Sequence, residues 1–113
     1  MCSSDLTILS YQGSVNGIGA SDGFTDSVTS TSATARSITA FANSLVASFF
    51  AGNDSTLTPP AGGTVRANFG TAGSSYILLV HEHGPVSAGA TVAKVATMTV
   101  SERHSTATVE IRT

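Results

Sequence analysis

The sequence predicts an all-β domain, namely an antiparallel β-sandwich of immunoglobulin-like or jelly-roll-like form or an incomplete barrel. Short stretches rich in Val, Ile, Thr, Phe and Tyr recur with turn residues about every 8 to 12 positions, the spacing of sandwich and barrel strands. No stretch of useful length has the apolar spacing of an amphipathic helix. A parallel sheet is disfavoured because its crossovers are long and usually helical, whereas the connections here are short and rich in Gly, Pro and Ser.

The densest apolar stretch, residues 45–51 (LVASFFA), predicts a strand that is covered on both faces, with Phe49 in the core. Residues 59–63 (PPAGG) predict a loop after it, because two prolines fix φ and two glycines permit unusual backbone angles. Residues 75–83 (SYILLVHEH) predict a second central strand of the same kind, which Gly84 and Pro85 end.

The other elements follow from local pattern. Residues 36–42 are expected to pair with residues 45–51 as a hairpin, with the turn at Asn43 and Ser44. Residues 13–26 predict a long surface loop, because they contain four glycines and no period of either kind. Residues 27–35 fit an edge strand or a polar linker. Further strands are expected at residues 7–11, Thr64–Phe69, residues 91–100 and residues 106–113.

The last of these strands has the clearest alternation in the chain. Ala107, Val109 and Ile111 are expected to face the core. Thr108, Glu110 and Arg112 are then expected to face solvent, so that the strand lies on an outer face of the sheet.

Length and composition limit the functions that this chain can have. A length of 113 residues suits one domain. The five basic side chains are scattered and the net charge is −2, which excludes the electrostatic footprint of a protein that binds nucleic acid or an anionic membrane. No apolar run approaches the roughly 20 residues that span a bilayer. The single cysteine, Cys2, gives no information on redox compartment.

Residues 1–6 (MCSSDL) resemble the in-frame translation of the 3′ end of a common short-read sequencing adapter. They are expected to be an artefact or, alternatively, an ordinary disordered tail, and residues 7–113 to form one β-sandwich domain or the C-terminal part of one. If strands are missing upstream, the apolar stretches that carry Phe49 and Leu79 cannot both be covered on two faces, and the chain should self-associate.

His81 and His83 are the weak metal candidates. On a strand they point to the same side, where two neutral imidazoles can share a divalent metal, and Glu82 points away. A third ligand would have to be His104 or a remote carboxylate. We favour the alternative of a half-exposed strand end, so no metal site and no cofactor is predicted.

The sequence gives little support for a catalytic site, a calcium site or a sugar-binding site. No serine lies in a nucleophile elbow, and the carboxylates fit solvated loops better than a glycosidase pair, so no catalytic residue is assigned. The loop residues Asp22, Asp26, Asn53 and Asp54 lack a recognised calcium-binding pattern. Sugar stacking would have to use Tyr11, Phe24 and Tyr76, because the chain has no Trp.

The order SYQGS, SITAFANSLVASFFAG, TLTPPAGGTVRA, AGAT and VEIR resembles an uncharacterised class of β-sandwich modules of phage tail or virion proteins and of bacterial surface or secreted proteins. Its sharpest stretch is the turn from Thr58 to Arg66, in which Thr58, Pro59, Pro60, Gly62, Thr64 and Arg66 carry the resemblance. The resemblance implies a non-enzymatic structural or adhesive module located outside the cell, on its surface or in a virion. The class also tends to have strands ahead of the Tyr-x-Gly strand.

The sequence therefore favours a non-catalytic structural or adhesive module of a larger protein. Its expected partners are other domains of the parent chain or further copies of this chain, with a surface glycan as a further possibility. The alternatives left open are a carbohydrate-binding module and, third, a small hydrolase or metal-binding protein.

Overall fold

The computed structural model describes Tyr11, residues 17–25 and residues 29–113, except for the side chains of Phe24 and Thr25. This part of the chain is all-β, with two antiparallel sheets packed together, which confirms the predicted fold class. The strands are β1 (Gly17–Thr25), β2 (Ser30–Ile38), β3 (Ser44–Gly52), β4 (Leu57–Thr58), β5 (Thr64–Phe69), β6 (Ile77–Val86), β7 (Thr91–Glu102) and β8 (His104–Arg112).

The larger sheet has five strands in the order β1-β8-β3-β6-β5, and the smaller has three in the order β2-β7-β4. Every strand pair in the described part is antiparallel. The predictions for residues 7–11 and for residues 1–6 fall outside the described residues, apart from Tyr11. The described part of the chain contains no helix with the length and apolar character needed to span a bilayer.

The core lies between the sheets and is built from alternate residues of the facing strands. Phe50 on β3 and Leu79 on β6 are fully buried from the larger sheet, and Ala33 and Ala96 meet them from the smaller one. The small alanines on β2 and β7 leave room for the larger side chains of β3 and β6 opposite them.

The two outer faces of the sandwich differ in chemistry. On the smaller sheet, the paired positions Ser32 and Thr97, and Arg36 and Ala93, are exposed and mostly polar. On the larger sheet, the outer face is apolar across β1, β3, β5, β6 and β8. Its partly or fully exposed members are Ile18, Leu45, Phe49, Phe69, Leu78 and Val109, whereas Ala47, Val80 and Ile111 on the same face are buried.

The structure corrects the interior position of Phe49. Its neighbour Phe50 points between the sheets and is fully buried, while Phe49 points to the outer face and is only half-buried. The strand was predicted to be covered on both faces, and alternation alone does not tell which of its two apolar faces meets the second sheet.

The predicted hairpin between residues 36–42 and residues 45–51 is also wrong. Strand β2 ends at Ile38 and pairs with β7, so residues 39–43 cross from the smaller sheet to the larger one. The turn residue itself was placed well, because Asn43 has φ 60°. Adjacent strands with a short connection favour a hairpin, but here both strands gain more by packing face to face in different sheets.

Three further segments differ from the predicted strands and loops. Residues 17–25, predicted as loop, form β1 on the edge of the larger sheet, with a register shift between Ile18 and Ser21. Strand β6 continues through Pro85 to Val86 instead of ending at Gly84. The segment of uncertain type at residues 27–35 contributes most of β2. The strand predicted at Thr64–Phe69 is confirmed with the same bounds.

Strand β8 has the opposite orientation to the predicted one and is not an outer strand, since it lies between β1 and β3. Thr108 and Glu110 face the smaller sheet and are 1% and 0% exposed, whereas Ala107 and Val109 are half-buried on the outer face. A strand whose interior face is the polar one cannot be oriented by hydrophobic alternation.

Candidate functional site

His81 and His83 lie on the same side of β6, as the strand pattern predicted, and Glu82 points the other way. That shared side is the interior one. His81 is fully buried instead of half-exposed, and its Nε2 lies 2.6 Å from the carbonyl oxygen of Gly62. Nε2 therefore donates to that oxygen and has no lone pair for a metal. The other ring nitrogen, Nδ1, is buried without a hydrogen-bond partner in the described part.

His83 is half-buried near Lys94. Burial lowers the pKa of His83, and the neighbouring ammonium of Lys94 and the His81 ring lower it further. Among the residues that the structure describes, no three His, Cys, Asp or Glu side chains lie close enough together to hold a metal ion. His81 instead holds the loop at Gly62 in place.

Glu110 is the polar group that the sequence reasoning placed wrongly, since it lies in the interior between the sheets. Its Oε2 accepts hydrogen bonds from the backbone N–H groups of Ala20 and Ala40, both at 2.8 Å. Its Oε1 accepts from the Phe41 N–H at 2.9 Å and from the Ser44 hydroxyl at 2.5 Å. One carboxylate thus joins β1, the crossing between the sheets and the start of β3.

Burial alone would raise the pKa of Glu110, but the hydrogen bonds from Ala20, Ala40, Ser44 and Phe41 outweigh it and lower the pKa to about 2. The carboxylate is ionised at neutral pH and accepts from four donors, none of which is a cation. A group with all of its lone pairs engaged in this way has no capacity left for acid or base chemistry, so its role is structural.

Two threonines of β8 continue the same arrangement. The Thr106 hydroxyl donates to the carbonyl oxygen of Thr34 at 3.1 Å, and the Thr108 hydroxyl donates to that of Arg36 at 3.2 Å. Both acceptors belong to β2, whose other side pairs with β7. The polar interior face of β8 therefore supplies the hydrogen bonds that the edge of β2 lacks.

A second carboxylate, Glu82, lies on the outer face of the larger sheet. Arg66 forms an ion pair with it at 2.7 Å, and the Tyr11 hydroxyl donates to its other oxygen at 2.8 Å. The hydrogen bond from Arg66 lowers the pKa of Glu82, burial opposes this, and the bond from Tyr11 lowers the pKa further. Burial and the bond to Glu82 raise the pKa of Tyr11 to about 12.

The three aromatic residues proposed for sugar stacking are not brought together as a platform. Tyr11 contacts Glu82 in the middle of β6, whereas Tyr76 lies just before the start of that strand, roughly 20 Å away along it at the usual rise per residue. The side chain of Phe24 lies outside the described part. Tyr76 is 42% exposed, so it is accessible singly.

The loop residues considered for calcium are likewise separated by structure. Asp54 accepts from the Gly73 N–H at 2.6 Å and so fixes one loop against another. Asp22 belongs to β1, Asn53 is exposed, and Asp26 lies outside the described residues.

Asp22 instead lines a cleft between the edge strands β1 and β2, which the sequence did not reveal. Its inner part has a volume of about 300 Å³, and a second chamber of about 300 Å³ continues along β2. Asp22 and Arg36 line both chambers. The inner part is also lined by Gly23, Thr34, Thr106, Ala107 and Thr108, and the second chamber by Ser37, Ile38 and Thr91.

Sequence reasoning could not have found this cleft, because its two charged residues lie in a segment interpreted as a loop and in a strand interpreted as half of a hairpin. The one usable signal was the hydroxyl-rich alternation of β8, which indicates a polar surface even though its direction was misjudged.

Comparison with known proteins gives no further information on the site. No protein-family model matches the sequence, and no curated protein or solved structure matches it significantly.

Proposed function

We propose that this chain is a non-catalytic structural or adhesive module of a larger extracellular, cell-surface or virion protein, and that it assembles with a second copy through the outer face of its five-stranded sheet. The observation that carries the proposal is the difference between the two outer faces of the sandwich. The smaller sheet presents mostly threonine, serine and arginine to solvent, with Ile38 and Val95 as its large exposed apolar side chains. The larger sheet presents Phe69 at 50% exposure and Ile18 at 70%, together with the half-buried side chains Leu45, Phe49, Leu78 and Val109.

The charges on the larger sheet suit packing against an identical surface. The described strands place Arg66 and Glu82 on this face, and the two neutralise each other as an ion pair. Two copies can therefore meet face to face without bringing an uncompensated charge into the interface. Exposed apolar side chains on one face of a small domain are typical of a surface that another protein covers.

The absence of catalysis and the location are supported by different observations. Three buried polar side chains that might carry chemistry, His81, Glu82 and Glu110, all have contacts that hold parts of the fold together. The location rests on the resemblance of the Thr58 to Arg66 turn to virion and surface modules, and on a composition with few charges and many hydroxyl side chains.

The test is the oligomeric state of the isolated chain with two matched variants. Sedimentation velocity over a wide concentration range should show a monomer–dimer equilibrium for the wild type. Phe69→Ser, on the outer face of β5, should shift that equilibrium toward monomer and reduce binding of a hydrophobic dye. Val95→Ser, on the outer face of the smaller sheet at 44% exposure, should change neither.

A wild-type protein that stays monomeric at the highest concentration, or a Val95→Ser effect as large as that of Phe69→Ser, would contradict the assembly face. Circular dichroism of both variants controls for folding, since each substitution is at an exposed position.

A further inference from the structure

We infer that the cleft between β1 and β2 binds a neutral, polyhydroxylated ligand such as a terminal pyranose, with the Asp22 carboxylate and the Arg36 guanidinium on opposite strands as its polar contacts. This site uses different residues from the aromatic platform that the sequence suggested. It also lies on a different part of the molecule from the assembly face, so neither proposal depends on the other.

The first support is the separation of two opposite charges. Asp22 and Arg36 line the same two chambers from neighbouring edge strands, yet no ion pair within 4.0 Å joins them, and neither has one with another described residue. One oxygen of Asp22 accepts from the Gly23 N–H at 2.8 Å, which leaves the other oxygen available. The cleft therefore offers a charged acceptor and a charged donor whose sum is zero.

That charge balance selects the chemical class of the ligand. An anion would be attracted by Arg36 and repelled by Asp22, whereas a cation would be attracted by Asp22 and repelled by Arg36. A vicinal diol satisfies both, because one hydroxyl donates to the carboxylate while its neighbour accepts from the guanidinium. Such a ligand also brings no net charge into a partly desolvated cleft.

The second support is the lining of the cleft. The Thr106 and Thr108 hydroxyls use their single protons on β2 carbonyl groups, so their remaining lone pairs can accept from a ligand hydroxyl.

The size agrees with a small ligand. Each chamber has a volume of about 300 Å³, at the lower end of the range for small-molecule sites. Ile38 in the second chamber adds apolar contact for the C–H face of a sugar ring.

The experiment is a titration followed by two-dimensional ¹H–¹⁵N NMR, with the methyl glycosides of glucose, mannose, galactose and N-acetylglucosamine as probes. At least one glycoside should give saturable shifts of the Gly23, Arg36 and Thr106 amides, with a dissociation constant in the millimolar range. Asp22→Ala and Arg36→Ala should each weaken binding roughly tenfold or more, the effect of losing a charge-assisted hydrogen bond.

Glu102→Ala and Arg103→Ala remove the same charges at the turn between β7 and β8 and should leave the dissociation constant unchanged. Inorganic phosphate and Ca²⁺ are titrated in parallel. The inference is overturned if no glycoside gives a saturable shift. It is also overturned if phosphate alone binds and needs only Arg36, or if Ca²⁺ alone binds and needs only Asp22.

Discussion

Glu110 shows how a single residue can hold three parts of this fold together. Its carboxylate accepts four hydrogen bonds from β1, the crossing segment and the first residue of β3. An amide at the same place would turn an NH₂ group toward N–H donors. We therefore expect Glu110→Gln to lower the free energy of unfolding by roughly 2 to 3 kcal/mol in urea melts, the scale of a lost charge-assisted bond or an unsatisfied buried donor. Glu102→Gln, at a half-exposed turn position, should cost little.

The same carboxylate should make stability depend on acid. The pKa of Glu110 is lowered to about 2 in the folded protein, below its ordinary value of 4.5, so its contribution is present above the ordinary pKa and is lost as the pH falls toward 2. Urea melts from pH 7 to pH 2 should show this loss in the wild type and a flatter profile in Glu110→Gln. An identical pH profile for both proteins would contradict a stabilising role for the ionised Glu110 carboxylate.

Tyr11 offers a spectroscopic test on the outer face. Its pKa is raised to about 12 from 10.0, so the stability that it contributes is present below pH 10 and is lost as the pH rises through 12. Ultraviolet titration of the folded protein should show one tyrosine that ionises near pH 12. Tyr11→Phe should remove that step and leave the ionisation of Tyr76.

These residue roles were largely out of reach of the sequence. A carboxylate at an alternating position of a strand normally faces solvent. The interior face of β8 is polar because its threonines donate to carbonyl groups of the edge strand β2, and because Glu110 accepts from β1, the crossing segment and β3. The same-side placement of His81 and His83 was predictable because it follows from strand geometry alone.

Strand β3 allows the burial of one phenylalanine on each of its two faces to be compared. Phe50 is fully buried between the sheets and Phe49 is half-buried on the outer face. Phe50→Ala should cost about 3 to 5 kcal/mol in denaturant melts, whereas Phe49→Ala should cost about half of that or less in the monomer. Equal losses would mean that the outer face is covered as fully as the inner one.

The loop before β5 provides a second comparison. Gly62 and Gly63 have φ of 72° and 67°, but a Cβ at position 62 would meet open space, whereas one at position 63 would overlap the Glu82 carbonyl and the His81 ring. Gly62→Ala should cost about 1 to 2 kcal/mol from backbone strain alone. Gly63→Ala should cost clearly more and should shift the NMR resonances of the His81 ring.

The strands and loops that depend on local sequence were predicted well, whereas those that depend on distant contacts were not. The bounds of β5 and the Pro-Pro loop follow from alternation and turn chemistry, and both were anticipated. Strand β1 was missed because it is an edge strand without an apolar period, and the hairpin between β2 and β3 failed because the choice between pairing in one sheet and crossing to another depends on distant β7.

For the molecule as a whole, the fold class was predictable because every local signal agreed on short strands and none on helices. The orientation of the layers was not. When both faces of β3 and β6 are apolar, the sequence does not say which face meets the smaller sheet, and this choice creates the apolar outer surface on which the proposed assembly depends.

The kind of partners that stabilise the Glu110 carboxylate determines how the stability of the fold depends on ionic strength. Its partners are peptide N–H groups and a hydroxyl, and the described part of the chain contains one ion pair, between Arg66 and Glu82. Mobile ions screen interactions between exposed charges over a Debye length of about 10 Å at 0.1 M salt, but they cannot enter a buried cluster of dipoles. We therefore expect the stability of this domain to fall in acid and to change little with the concentration of sodium chloride.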